Sequence, residues 1–184
     1  MLRKIELVRG ECRHLEDILN AFLQFVRVGE LHLELIDLNE EITRFIQFQQ
    51  PQASRHGIEI SPHLASDLPP VMLDKALIKQ AWLNLVQNAF QAMPEGGLLE
   101  FQTGLRNGWI EMRLIDNGTG MPENIRESMF QTFFSTKTGG SGLGLPTVRR
   151  IVETHGGTIS CESEPGRGTR FTISLRPANL TDDE

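Results

Sequence analysis

Three short polar motifs in a fixed order constrain this chain more tightly than its composition does: NLVQNA at 84–89, DNGTG at 116–120 and GSGLGL at 140–145. Each interrupts a hydrophobic pattern with amide side chains, a carboxylate or bare backbone, none of which a packed core favours without partners. A fold for this chain must bring those groups to a common surface or satisfy them in three separate places.

The hydrophobic pattern around the motifs supplies the frame. Apolar residues at Ile5, Val8, Cys12, Leu15, Leu19, Phe22 and Val26 alternate by three and four, and Ile18 and Phe25 widen the stripe beyond the needs of a lone surface helix. Such a helix calls for helical partners in a bundle. Gly29 can end it, which sets a boundary between 1–29 and a second domain at 30–178. The alternation in LHLELIDL then predicts a strand, with His32 in it. A helix over about 39–54 follows the cap candidates Asp37 and Asn39, a short strand is expected at 58–60, and Pro69 and Pro70 break the chain. The next helix, about 74–93, carries Asn84 and Asn88 and stops at Gly96 and Gly97.

Two strands flank Asn107-Gly108, a dipeptide whose tolerance of positive φ suits a tight hairpin. A short helix near Glu123, an irregular stretch rich in Phe, Thr and Gly, a helix opened by Pro146 and a strand pair at 158–162 and 169–175 complete the pattern. Alternating blocks of helices and antiparallel strands imply an α+β fold: a two-layer α/β sandwich with helices on one face of a mixed sheet, preceded by one long amphipathic helix. Residues 179–184 read as a frayed acidic tail.

Charge and cysteine usage remove several classes of partner. A net charge of −6 without a Lys/Arg cluster argues against nucleic acid. No stretch approaches the roughly 20 apolar residues of a membrane span. Cys12 and Cys161 match no metal or disulfide spacing and read as small buried hydrophobes in a reducing, cytoplasmic compartment, although a longer parent could be membrane-anchored.

The motifs carry the chemistry. Asn84 and Asn88, four apart on one helix face, can offer amide oxygens to a magnesium ion or to phosphates; alone, the pair also fits a surface helix that bonds its own backbone. Asp116 ends an apolar strand and is followed by Gly118 and Gly120, so a carboxylate can accept from an amino group while backbone approaches a flat ligand; alone, DNG also fits an ordinary turn. The glycines at 140, 142 and 144 precede a helix whose free N–H groups and dipole favour phosphate. No Lys-Ser or Lys-Thr follows them, which excludes a Walker loop. Thr136 and Lys137 can add a hydroxyl and a cation near terminal phosphates.

In order and spacing these motifs resemble the ATP-binding domain of sensor histidine kinases, within the gyrase, chaperone, kinase and mismatch-repair (GHKL) superfamily and its Bergerat-type fold. NLVQNAFQAM is similar to that family's N box, DNGTGMP to its G1 box, MFQTFFSTK to its F box and GGSGLGL to its G2 box, with HGG at 155–157 and GRGTRF at 166–171 behind them. The resemblance implies ATP and Mg2+ as ligands. By it, Asn88 would coordinate magnesium, Asn84 would line the phosphate end, Asp116 would bind the adenine amino group, and Gly118 and Gly120 would let the base in. Lys137, Gly140, Gly142, Leu143, Gly144 and Leu145 would hold phosphates under a mobile lid at about 130–141, and Thr169 would support the adenine through water. Asn84 and Lys137 would serve catalysis. Relatives that split ATP with water carry a Glu at the position of Asn84; an amide cannot accept that proton, so hydrolysis is expected to be slow and the γ-phosphate to await another acceptor.

The opening segment resembles the second helix of the family's dimerising hairpin, as in the nitrogen-regulation subgroup. The family's acceptor histidine is followed directly by an acidic residue, whereas Leu15 follows His14. His56 and His63 flank a strand, and His155 ends a helix where its charge would suit the dipole. The chain is therefore expected to be a catalytic fragment without its phosphoacceptor, unable to autophosphorylate alone, from a homodimeric parent that serves a response regulator receiver domain. The alternatives are a stand-alone GHKL serine kinase of the anti-sigma type and a nucleotide-sensing module without activity.

Overall fold

The computed structural model describes residues 15–16, 18–19, 22–23, 31–137 and 140–178. The described N-terminal residues are helical, and Leu15, Leu19, Phe22 and Leu23 among them are exposed. Cys12, His14, the boundary at Gly29 and the tail at 179–184 lie outside the described residues. The remaining elements run β1 (Glu34–Ile36), α1 (Leu38–Arg55), β2 (Ile58–His63), β3 (Val71–Leu73), α2 (Lys75–Ala92), β4 (Gly97–Arg106), β5 (Trp109–Asp116), α3 (Glu123–Ser128), α4 (Gly144–Thr154), β6 (Thr158–Glu164) and β7 (Gly168–Leu175). No helix among the described residues is long and apolar enough to cross a membrane.

Local chemistry accounts for most of these boundaries. Asp37 caps α1 by accepting the Glu40 N–H at 3.1 Å. Asn39, the other cap candidate, instead donates to the Ala65 carbonyl and accepts from the Thr103 hydroxyl, tying α1 to β4. Pro51 sits within α1 with its ring exposed, where it removes one main-chain donor near the end of the helix. Asp74 caps α2 through the N–H groups of Ala76 and Leu77, each at 3.0 Å. The hairpin between β4 and β5 turns at Asn107 (φ 51°) and Gly108 (φ 78°), the positive-φ pair that matches the twist of its strands.

A five-stranded mixed sheet, ordered β2-β4-β5-β7-β6, carries the fold; β2 and β4 are parallel and the other neighbours antiparallel. α2 buries Ile78, Ala81, Trp82, Leu85, Val86, Ala89 and Phe90, spaced for one face, in a core shared with the inward residues of β4, β5 and β7. Trp82 meets Phe45 of α1 edge-on at 5.4 Å, and Phe45 meets Phe101 of β4 at 6.1 Å. Helices and sheet thus form the expected two layers around one core.

The alternation of β5 sets the direction of its last residue. Ile110, Met112 and Leu114 point inward, so Asp116, two residues on, does too. In β7 the inward set is Thr169, Phe171, Ile173 and Leu175, and Thr169 pairs directly with Asp116. One ladder position therefore places a carboxylate and a hydroxyl together at the rim of the core.

The structure departs from the sequence reading in four places. The LHLELIDL alternation yields only three paired residues, because its partner β3 has room for only Val71–Leu73 between Pro70 and Asp74; His32 precedes the strand. That partner was too short to leave a periodic signal. α4 begins at Gly144, two residues before Pro146, and β2 extends to include His63. His155 is tied into the fold at its helix end: its Nε2 accepts the Asp74 N–H at 2.9 Å and its Nδ1 lies 2.7 Å from the Ile151 carbonyl.

Candidate functional site

The three motifs converge. A cleft of about 470 Å3 opens between α2, the end of β5, α3, the stretch before α4 and the start of α4, and its lining includes Asn84, Asn88, Asp116, Gly120, Lys137, Gly140, Gly142, Gly144, Leu145 and Thr169. Two expected residues stand back from it. Gly118 is buried behind the lining, and Leu143 turns its side chain into the protein with 1% exposed, leaving only main-chain groups to offer a ligand.

At one end of the cleft Asp116 sits 4% exposed, its Oδ1 accepting the Gly118 N–H at 2.9 Å. Burial raises its pKa above the ordinary aspartate value, and the N–H groups of Gly118 and Thr169 only partly offset that rise. Met121, Ile125, Met129 and Phe171 supply apolar walls. A carboxylate at the end of an apolar slot has acceptor capacity to spare and favours a flat ligand that carries an N–H donor.

The glycines of DNGTG let protein backbone come close. A Cβ on Gly118 would stand 2.7 Å from the Ala92 carbonyl oxygen, and one on Gly120 would stand 1.9 Å from that of Glu164. They let the loop pack against the end of α2 and the β6–β7 turn, where Thr119 accepts the Gly166 N–H at 2.7 Å. Both glycines thereby hold the loop that presents Asp116, and Gly120 also lines the cleft.

The other end is cationic and rich in free donors. α4 starts without a side-chain cap; its N-cap position is Leu143, with near-helical φ −108° and ψ −13°. Gly144 and Leu145, the first two helical residues, line the cleft, so the uncapped end of the helix faces it. Asn84 looks onto this terminus, its Oδ1 3.4 Å from where a Cβ on Gly144 would stand. Lys137 reaches back to α2: Nζ donates to Asn88 Oδ1 at 2.9 Å and, at shorter range, to Gln91 Oε1. The groups that hold its ammonium are thus amide oxygens and not carboxylates, and desolvation lowers its pKa from the usual lysine value. The segment before α4 is folded on itself, with the Phe133 N–H on the Gly142 carbonyl at 3.0 Å. Gly142 has φ 67°, and any Cβ there would stand 2.4 Å from the Phe133 carbonyl carbon.

Asp116 is the one acidic side chain among the described lining residues, so the phosphate-like end holds no carboxylate that could take a proton from water. No group of three His, Cys, Asp or Glu residues forms a metal cage among the described residues. An ion here would need ligand oxygens as well as protein ones, the habit of Mg2+. Asn88 Oδ1 already holds a cation, the Lys137 ammonium, which shows that this amide oxygen suits a positive charge.

Sequence reasoning missed two contributors. Gln91 falls seven residues after Asn84 on the same face of α2, a signal that was legible. Ser163 on β6, bonded to both Met121 and Thr169, lies in no motif and left none. Cys161 behaves as expected of a small hydrophobe, its thiol pushed up to about 12 chiefly by burial. A second, shallower groove of about 590 Å3 runs past Leu33, Met72, Trp109 and Arg176 and holds no residue of the three motifs.

Known proteins share the sequence and the fold of this chain. Residues 73–179 match the family described as histidine kinase-, DNA gyrase B-, and HSP90-like ATPase. The sensor histidine kinase ZraS of Klebsiella oxytoca is 35% identical over 170 residues, 92% of this chain and 37% of its own length. Sporulation kinase E of Bacillus subtilis is 31% identical over 92% of this chain and 23% of its own length. Among solved structures, full-length ShkA in complex with AMPPNP superposes with a TM-score of 0.79 at 28% identity, covering 94% of this chain and 38% of ShkA. Histidine kinase ThkA in complex with the response regulator protein TrrA superposes at 0.76 and 28% identity, covering 94% of this chain and 50% of ThkA. The chain thus spans well under half the length of the curated relatives it matches.

Proposed function

Because the chain belongs to the histidine kinase-, DNA gyrase B- and HSP90-like ATPase family and is the ATP-binding catalytic domain of a sensor histidine kinase, we propose that it transfers the γ-phosphate of Mg-ATP to a histidine on a dimerisation helix of the same kinase. One observation carries this reading. A single cleft joins a buried carboxylate, an uncapped helix N-terminus and a lysine held by amide oxygens, and among its described lining residues the helix end has no carboxylate to act as a base for water.

The residues divide the work by chemistry. Asp116 accepts the exocyclic amine of adenine, with Thr169 supporting it, while the apolar walls hold the ring. The first-turn N–H groups of α4 at Gly144 and Leu145, the backbone at Gly140 and Gly142, and Lys137 neutralise phosphate oxygens. Asn88 would hold Mg2+ together with those oxygens; the ion, when bound, supplies a Lewis acid that spreads the developing charge. Lys137 would move from Asn88 to the phosphates as the nucleotide enters. Asn84, facing the start of α4, would orient the triphosphate without activating water. Phosphoryl transfer asks mainly for such positioning and charge neutralisation, so no further covalent chemistry is required of this domain.

The exposed apolar residues of the N-terminal helix, Leu15, Leu19, Phe22 and Leu23, fit a helical partner, which we assign to the dimerisation and phosphoacceptor hairpin. A response regulator receiver domain would then take the phosphoryl group, as the ThkA–TrrA complex suggests by analogy. Incubation with γ-labelled ATP and a histidine-bearing helical hairpin of the parent kinase tests the proposal. Label on the hairpin histidine, abolished by Asp116→Ala, is the expected result. Rapid release of inorganic phosphate with no labelled protein would contradict it.

A further inference from the structure

We propose that Ser163, which lies outside every motif, fixes the direction of the Thr169 hydroxyl and so makes the floor of the cleft an acceptor-only surface that selects the 6-amino edge of a purine. The inference rests on the cleft being the nucleotide site.

Counting hydrogens leads to it. Ser163 Oγ has three polar neighbours: the Met121 N–H at 2.8 Å, the Gly168 carbonyl at 3.0 Å and Thr169 Oγ1 at 3.0 Å. An amide N–H can only donate and a carbonyl can only accept. The single serine hydrogen therefore goes to Gly168, and one oxygen lone pair takes the Met121 N–H. The third contact can exist only if Thr169 donates to the remaining lone pair of Ser163. Every valence of the serine hydroxyl is then used, and the threonine hydrogen points away from the cleft.

What Thr169 leaves for a ligand is its lone pairs. It is 7% exposed, lines the cleft and stands directly across the β5–β7 ladder from Asp116, which in its ionised form also only accepts. The cleft's lysine and amide side chains, Lys137, Asn84, Gln87, Asn88 and Gln91, all stand on α2 and the segment that reaches it, not on the β5–β7 ladder that carries Asp116 and Thr169. A base that meets the two acceptors, directly or through one water, must present hydrogens. A 6-amino purine does so at that edge. A 6-oxo purine presents a carbonyl, to which neither Asp116 nor the fixed Thr169 hydroxyl donates, and leaving such a group unpaired is what makes polar discrimination strong. Ser163 is thus a positioning residue that acts through Thr169.

The test compares the affinities of the magnesium complexes of ATP and ITP, measured by calorimetry on the alkaline plateau of the binding profile. Wild type should prefer ATP. In Ser163→Ala the Thr169 hydroxyl is free to turn and donate, and the ATP/ITP ratio should fall about fivefold, the worth of one neutral hydrogen bond. Ser163→Thr retains the hydroxyl and should restore the ratio; Ser163→Cys, close in shape but a poor hydrogen bonder, should lower it if the alanine variant does not fold. A merely structural serine would weaken both nucleotides alike and leave the ratio unchanged, and that result in a folded variant overturns the proposal. Wild type that binds ATP and ITP equally overturns it as well. If neither nucleotide binds, or if Asp116→Asn leaves binding intact, the nucleotide reading of the cleft itself has failed.

Discussion

Asp74, just after β3, and Asp116, the last residue of β5, are both buried aspartates, 6% and 4% exposed, and both accept backbone N–H groups, yet the protein drives their protonation in opposite directions. Desolvation raises both. At Asp74 it is outweighed by the N–H groups of Leu77, His32 and Ala76 together with the neighbouring His155, which leave the pKa below the ordinary value; at Asp116 the N–H groups of Gly118 and Thr169 do not suffice. The helices tell the same story. α2 has its first turn satisfied by Asp74, whereas α4 has no cap and opens on the cleft. A carboxylate or helix end that the chain has fully partnered is structural; one left wanting beside a cavity is a place for a ligand.

The comparison breaks most readily at Asp116. Asp116→Ala should weaken binding of a non-hydrolysable ATP analogue by roughly 10- to 100-fold, the range for a hydrogen bond to a charged group. Asp116→Asn should weaken it too while raising the melting temperature of the nucleotide-free protein at neutral pH, because it removes a buried charge that the fold disfavours. Loss of both stability and binding would make Asp116 structural, like Asp74. Asp74→Ala should do the reverse, costing about 1–2 kcal/mol of folding stability for a lost cap while nucleotide affinity stays within about threefold. Denaturant unfolding and calorimetry on the same samples read both quantities.

A smaller effect is expected at the cationic end. Lys137→Met should lower affinity for the triphosphate by roughly tenfold, about one charge-assisted hydrogen bond, and leave adenosine binding unchanged. Equal loss for both ligands would place Lys137 elsewhere in the mechanism. Smallest of all is the pH dependence. The folded pKa of Asp74 is lowered, so its contribution to stability is present above 3.8 and is lost as pH falls through the lower folded value. The folded pKa of Asp116 is raised, so its penalty is absent well below 3.8 and grows as pH rises through that value towards the higher folded one. Stability profiles of the two variants against wild type should therefore diverge in opposite senses across the acidic range, and parallel profiles would erase the distinction between the two carboxylates.

How much of this was legible in the sequence depended on whether the signal was local. Asp37 and Asp74 mark helix starts by their own chemistry, Asn107-Gly108 marks its turn, and the spacing of Asn84 from Asn88 places both on one face. β3 was invisible because three residues carry no period, and the parallel β2–β4 pairing joins segments separated by α2. Within the site, the motif residues were found because each strains an otherwise hydrophobic pattern. Ser163 was not, because a serine in the alternating edge strand β6 looks like solvent-facing polarity until the fold sets it beside Thr169 and Met121. The protein contacts of Gly118 and Gly120 were likewise hidden, since a sequence shows that a backbone must come close but not which neighbour approaches it.

A crystal structure with Mg2+ and a non-hydrolysable ATP analogue would test the central claim most directly. The account predicts the 6-amino group within hydrogen-bonding distance of the Asp116 carboxylate, the terminal phosphates at the first turn of α4, and the Lys137 ammonium moved from Asn88 Oδ1 to a phosphate oxygen. A purine bound instead in the groove beside Trp109 and Arg176, or Lys137 still bonded to Asn88 with nucleotide in place, would contradict it.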